Sequence, residues 1–204
     1  MKIHLISLVI FGTLSMYSFV SSQENSDSKV AVKGLMVGNQ VNNFTAKDHE
    51  GNGFDLYKAL ENGAVVLFFY RGNWCPVCNY HRSELEDNLD LIYQKGAQVV
   101  AVSPEKPELM VKTIKKTKAS FTLPNDEGSR ISEAFDMAYF PEKPVAKKLT
   151  FLQDNRLSES IGDESQRLPI PATHIIEKSG MISWRHFDPN IKPASAKEIV
   201  EALN

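Results

Sequence analysis

Apolar residues follow two rhythms along this chain. Residues 65–70, Val-Val-Leu-Phe-Phe-Tyr, form a short unbroken run of β-branched and aromatic side chains. Such a run predicts a strand buried on both faces. Residues 97–102 repeat the pattern and stop at Ser103 and Pro104. Between the two runs the spacing becomes helical. Cys78, Leu85, Leu89 and Ile92 share one face of a helix predicted over 79–94, with Glu84, Glu86, Asp87 and Asp90 turned away and Gly96 as its stop. The rest of the chain alternates in the same way. A weak strand is predicted over 43–48, a turn over 50–53 and a short helix over 54–60 ending at Asn62 and Gly63. A helix over 107–117 places Leu109, Met110, Val111 and Ile114 among exposed lysines, a short strand covers 120–123, and a helix covers 129–137. Residues 169–177 and 181–187 read as a hairpin around Lys178, Ser179 and Gly180, and a closing helix covers 194–203. The stretch 138–168, rich in Pro, Lys, Ser and Asp, reads as an inserted, partly irregular excursion. This order predicts an α/β fold with a mixed central sheet flanked by helices.

The two amino-terminal segments stand outside that pattern. Residues 5–20 are mostly apolar after a single early Lys2, and Val20, Ser21 and Ser22 are small residues at a signal-peptidase spacing. A cleaved signal peptide over 1–22 is expected, ahead of an uncleaved anchor, because the apolar part is short for a span. With no cysteine near the cut, a lipoprotein is not indicated. Residues 23–36 are expected to be a flexible lead-in and 37–204 the folded domain, exported to the periplasm or secreted, with no stable membrane span after cleavage. Composition changes little in this picture. The 204 residues suffice for one core, and 42% hydrophobic with 24% charged is ordinary for a globular chain. A formal charge of −2 supplies no electrostatic case for nucleic acid or an anionic membrane.

The candidate chemistry sits where the first strand becomes a helix. Both cysteines of the chain, Cys75 and Cys78, are there, two residues apart. A helix start carries unpaired N–H groups and partial positive charge, which favour a thiolate. A bridge across so short a loop restrains the unfolded chain little, so redox work fits the pair better than a structural staple. Cys75 is expected to be exposed in the turn and to attack disulfides. Cys78, on the Leu85 stripe, is expected to be more buried and to resolve, whereas a peroxide is small enough to reach either sulfur. Trp74 is a candidate shield or docking surface, or simply packing. Pro76 suits the first helical position. Arg71 is a candidate for holding a thiolate or capping the turn, and His81 reads as a helix-surface histidine. Cys75, Cys78 and His81 fall short of the four ligands of a structural zinc, and Asn79 stands where haem attachment needs histidine. A minor alternative is Cu(I) held by Cys75, Cys78 and the distant His174.

With these residues placed, the chain resembles the thioredoxin-fold superfamily, and within it the peroxiredoxin-like group related to alkyl hydroperoxide reductase and thiol-specific antioxidant proteins. The resemblance spans about Val37 to Leu203. It rests on the run from Phe69 to Cys78, on Val99 to Pro104, on Leu168 to Thr173, and on His186 to Pro189. It implies a thioredoxin-like fold with an insertion before the strand that a cis-proline opens, Pro171, facing the pair. It further implies an antioxidant enzyme that reduces peroxides through Cys75 and Cys78, with a thioredoxin-like protein as reductant and no resident cofactor. Trp74, Pro76, Arg71 and Pro171 are its candidate substrate-binding residues. Peroxiredoxins carry Pro-x-x-x-Thr/Ser-x-x-Cys. On this chain the peroxidatic position is Cys78, the hydroxyl position is Cys75 and the proline position is Arg71. The family's active-site arginine maps by no motif, which leaves Arg71 and Arg185 as candidates by proximity. Laid on thioredoxins, Cys75 attacks, Cys78 resolves and the buried carboxylate falls on Phe69. The alternative function is therefore thiol–disulfide exchange on protein disulfides without significant peroxidase activity.

Overall fold

The computed structural model describes residues 32–141, 167–188 and 192–203. The signal-peptide expectation, most of the lead-in and the interior of the 138–168 excursion lie outside the described residues. In chain order the elements are β1 (Thr45–Lys47), β2 (Gly53–Asp55), α1 (Leu56–Glu61), β3 (Ala64–Phe69), α2 (Pro76–Asp87), α3 (Leu89–Gln94), β4 (Ala97–Val102) and α4 (Pro107–Thr117). A 3-10 turn (Glu127–Ser129) leads into α5 (Arg130–Ala134). Then come β5 (Ala138–Tyr139), β6 (Leu168–Pro169), β7 (Ala172–Ile176), β8 (Ile182–Phe187) and α6 (Ala196–Ala202).

The central sheet has the order β4-β3-β7-β8, parallel between β3 and β4 and antiparallel elsewhere. The apolar run at 65–70 explains its central place, because both of its faces are covered. Val66, Phe68 and Tyr70 point to one face, against Cys78, Leu85 and Leu89 of the α2–α3 region, Met110 of α4 and Ile199 of α6. Val65, Leu67 and Phe69 point to the other, against Leu56 and Leu60 of α1, Ile131 of α5, Phe135 and Met137. The mixed sheet between helices is the expected architecture.

Several element boundaries differ from the sequence pattern for local reasons. The single helix predicted over 79–94 is two helices. Asn88 breaks it, donating through Nδ2 to Glu84 O at 2.8 Å in place of continuing the backbone ladder. Residues 53–55 pair with β1, so α1 starts later, capped by Asp55, whose side chain accepts the Lys58 N–H. Residues 120–123 make a single parallel bridge, Val100 with Thr122, and the adjoining Pro124 has no N–H to extend the ladder. The helix predicted over 129–137 is shorter because it ends at Ala134, two residues before Asp136 turns left-handed at φ +52°; at its start Asp126 accepts the N–H groups of Ile131 and Ser132. The two ends of the excursion meet as the β5–β6 pair.

Candidate active site

The parallel pairing of β3 with β4 brings the carboxyl ends of both strands to one edge, where α/β sheets place their sites. Residues 70–75 leave β3 there, and Ser103, Pro104 and Glu105 leave β4 beside them. Cys75 is the N-cap residue of α2, in extended conformation, and Pro76 occupies the first helical turn. Cys75 and Cys78 form a disulfide. Cys75 Sγ accepts the Cys78 backbone N–H at 3.3 Å and a contact from Arg71 Nη2, also at 3.3 Å. The Arg71 guanidinium lies over the Trp74 ring at 5.2 Å. Arg71, Trp74, Cys75, Pro76 and Cys78 therefore lie together at the turn from β3 into α2.

The expected exposure of Cys75 is wrong. Cys75 is 0% exposed and Cys78 4%. The turn folds inward because Gly72 and Asn73 are held against Glu105, and Trp74 packs into the same core cluster as the pair. Gly72 sits at φ +147°, and a Cβ there would meet Trp74 Nε1 at 2.7 Å, so only glycine lets the indole close down. Pro76 and Val77 stay exposed on the outer side of the first turn of α2.

Other sequence expectations are corrected by the sheet's two-sidedness. His81 is buried, not on the surface, because it follows Cys78 by three residues on the inward stripe. Its ring packs edge-on against Phe68, and burial lowers its pKa to about 4, with the charges of Arg82 and His186 adding to the effect. Glu84 Oε2 lies 3.9 Å from its Nδ1, too far to hydrogen-bond. His174 pairs with Leu67 in register and contacts Phe69 and Phe135, on the face opposite the cysteines. A copper set of Cys75, Cys78 and His174 cannot form across the sheet. Arg185 stands opposite His174 on that same far face, where its Nη1 binds the carbonyls of Lys33, Gly34 and Leu35. It is not a site residue. Pro171 precedes β7 and by alternation shares the face of Thr173 and Ile175, the face of the pair. Its bond is trans, as are all peptide bonds among the described residues. The edge pairing of β6 and the Ile170 N–H to Met137 O bond at 2.9 Å carry the chain straight into β7.

Two residues with no role in the sequence reading hold the site together. Glu105 is 0% exposed, and its carboxylate accepts from Asn73 N at 2.6 Å and Thr113 Oγ1 at 3.0 Å. Burial pushes its carboxyl above the ordinary range, while the Asn73 N–H and the Arg82 charge pull it back. A buried carboxylate thus stands just past the end of β4, against the turn that carries the pair. Its signal in the sequence was an acid just past a buried strand parallel to the cysteine strand. Arg82 is also 0% exposed, stacked 4.1 Å over Tyr70. Burial disfavours its charge, and Tyr70 and Glu105 favour it. Spacing was its signal, because 78, 82, 85 and 89 follow one helical stripe. Among the described residues no cluster of three or more His, Cys, Asp or Glu is placed to hold a metal. No helix there is long and apolar enough to cross a membrane.

Comparison with known proteins agrees with this geometry. Peroxiredoxin Bcp of Escherichia coli (strain K12) is 29% identical over 101 residues, covering 50% of this chain and 64% of that protein. The chloroplastic peroxiredoxin Q of Sedum lineare is 34% identical over 88 residues, 43% of this chain and 47% of that protein. The chain thus aligns with about half to two thirds of the length of these relatives. The crystal structure of peroxidoxin BcpB from Mycobacterium tuberculosis superposes with a TM-score of 0.65 at 18% identity, over 83% of this chain and 96% of that one. That likeness establishes the thioredoxin-like fold of peroxiredoxins. The family model described as "AhpC/TSA family" matches residues 37–185, and the chain belongs to that family.

Proposed function

We propose that this protein is a thiol peroxidase that reduces hydroperoxides through Cys75 and Cys78 and is recycled by a thioredoxin-like dithiol protein. The observation that carries the reading is the buried pair with a guanidinium on one sulfur. At 0% and 4% exposure the sulfurs admit a peroxide far more readily than a bulky protein disulfide. Arg71 and the Cys78 N–H both address Cys75 and favour a thiolate there, so the first attack falls to Cys75 rather than to Cys78, the peroxidatic position of the family motif. Cys75 thiolate attacks one peroxide oxygen, the O–O bond breaks, and the departing alkoxide takes a proton to leave as alcohol, or as water from hydrogen peroxide. Cys75 is then a sulfenic acid. The Cys78 thiol attacks it, water leaves, and the Cys75–Cys78 disulfide forms. Two thiols of the reductant restore both cysteines and become its own disulfide. Reduction of the bridge calls for local opening of the first turn of α2, whose Pro76 and Val77 face solvent.

The test is peroxide consumption coupled to a thioredoxin–thioredoxin reductase system, with sulfenic acid trapped in each single-cysteine variant. Turnover in the wild type and trapping at Cys75 in Cys78→Ser are expected. No turnover above background with several hydroperoxides would sink the reading. Thiol–disulfide exchange is the second reading, favoured by the N-cap position of Cys75. Insulin reduction without peroxide turnover would put it in place of the first. Export is proposed on the apolar pattern of residues 1–22 alone, and retention of the intact chain in the cytoplasm on fractionation would refute it.

A further inference from the structure

A closed circuit of buried groups surrounds the turn that presents Cys75. Glu105 Oε1 accepts the Asn73 N–H at 2.6 Å. The carbonyl of Asn73 accepts from Asn79 Nδ2 at 2.7 Å. Asn79 Oδ1 accepts from Arg82 Nη2. The Arg82 guanidinium lies over the Tyr70 ring, and Tyr70 OH meets Glu105 Oε2 at 3.5 Å, the longest hydrogen bond of the circuit. Asn79 also donates its backbone N–H to the carbonyl of Cys75 at 3.0 Å. The peptide unit at Asn73 is thus clamped on both sides, two residues before the reactive sulfur.

The two charges of the circuit come from different elements, α2 and the end of β4, and both are 0% exposed. A buried charge costs several kcal/mol unless an opposite charge and hydrogen bonds offset it. Apolar packing would have filled the same space without that cost. The arrangement therefore holds opposite charges close to the pair, in a medium where charge acts over longer distances than in water.

We propose that Arg82 and Glu105 are positioning residues for the redox pair, which clamp the Asn73 peptide and, by balancing one another's charge, set how readily Cys75 gives up its proton. The proposal rests on the redox reading of the pair, but not on peroxide as substrate. With Arg82 removed, the Glu105 carboxylate is unbalanced and opposes a thiolate. With Glu105 neutral, the guanidinium is unbalanced and favours one. Arg71 is unchanged in both cases, so its effect cancels in the comparison.

The experiment measures the pair's dithiol–disulfide equilibrium in glutathione buffers, and the pH midpoint for alkylation of reduced Cys75, located by mass spectrometry. The variants are Arg82→Met, Glu105→Gln and the double variant, each checked for native near-ultraviolet dichroism. In Arg82→Met the midpoint is expected to rise and the equilibrium to move toward disulfide. In Glu105→Gln both are expected to move the opposite way. A shift on the order of tenfold in the equilibrium constant each way corresponds to about 30 mV. The double variant is expected to return toward wild type. A purely structural role moves both variants in the same direction or leaves folded variants unshifted, and either result overturns the proposal. If Arg82→Met does not fold, the near-isosteric Glu105→Gln decides alone, and the absence of a shift toward the dithiol form overturns it. Loss of peroxide turnover in the wild type, with these shifts intact, would overturn the peroxidase reading and leave the positioning roles standing.

Discussion

Arg71→Met is the most direct test of where the reactive charge sits. Arg71 Nη2 lies 3.3 Å from Cys75 Sγ, and Arg71 is 8% exposed. At an effective dielectric constant of about 20, unit charges at that 3.3 Å separation attract by about 5 kcal/mol. Desolvation offsets much of this, and hydrogen bonds to charged groups net about 1.5–3 kcal/mol. At 1.36 kcal/mol per unit, the alkylation midpoint of Cys75 should rise by about 1–2 pH units. Where the pH lies below both midpoints, the fraction of thiolate then falls by about 10- to 100-fold. The less acidic thiolate is also more nucleophilic, with a Brønsted slope of about 0.4–0.5, which recovers roughly half of that factor on a logarithmic scale. The net expectation is a loss of about 3- to 10-fold in the peroxide reaction at pH below both midpoints, largely rescued at alkaline pH. Stopped-flow peroxide reaction of the Cys78→Ser protein, with and without Arg71→Met, measures it across pH. An unmoved midpoint, or a rate loss that alkaline pH leaves unchanged, would refute the role given to Arg71.

Other outcomes follow from packing and burial. Gly63→Ala should destabilise the fold strongly, by more than about 2 kcal/mol in urea unfolding, because its Cβ would lie 2.0 Å from the Gly96 carbonyl at φ +155°. Leu85→Ala, at a fully buried position under α2, should cost about 2–5 kcal/mol in the same assay. Burial holds His81 and His174 neutral, with pKa lowered from 6.5 to about 4. Each depressed value contributes stability that is complete above pH 6.5 and lost as pH falls toward 4, by about 3 kcal/mol per histidine. Chemical unfolding between pH 7 and 4 should show that loss, and His174→Phe should flatten part of it; an equally steep dependence in the variant would refute the assignment.

Much of the site was legible before any fold was known. The unbroken run at 65–70 announces a two-sided buried strand, and the change to helical spacing at Cys78 places the pair at a helix start. Both follow from local periodicity, because a strand and a helix expose side chains at fixed intervals. The same reasoning brought Arg71, Trp74 and Pro76 to the pair, since all lie within a few residues of it. What local spacing lacks is the side of the sheet on which a distant residue emerges. His174 and Arg185 were within reach by sequence reasoning and fall on the far face, because a strand's alternation is anchored by its register with β3.

Burial of Cys75, too, was decided only by long-range contact. A cysteine at a helix start reads as exposed, and here Glu105 draws the turn inward from another strand. Arg82 shows the same division. Its spacing from Cys78 put it on the inward stripe, yet only the meeting of α2 with Tyr70 and the end of β4 makes a buried guanidinium tolerable. The chain's own periodicity thus determined the strand, the helix and the pair of sulfurs between them. Tertiary structure decided which charges surround those sulfurs, because parallel pairing of β3 and β4 brings together carboxyl ends that are some thirty residues apart in the chain.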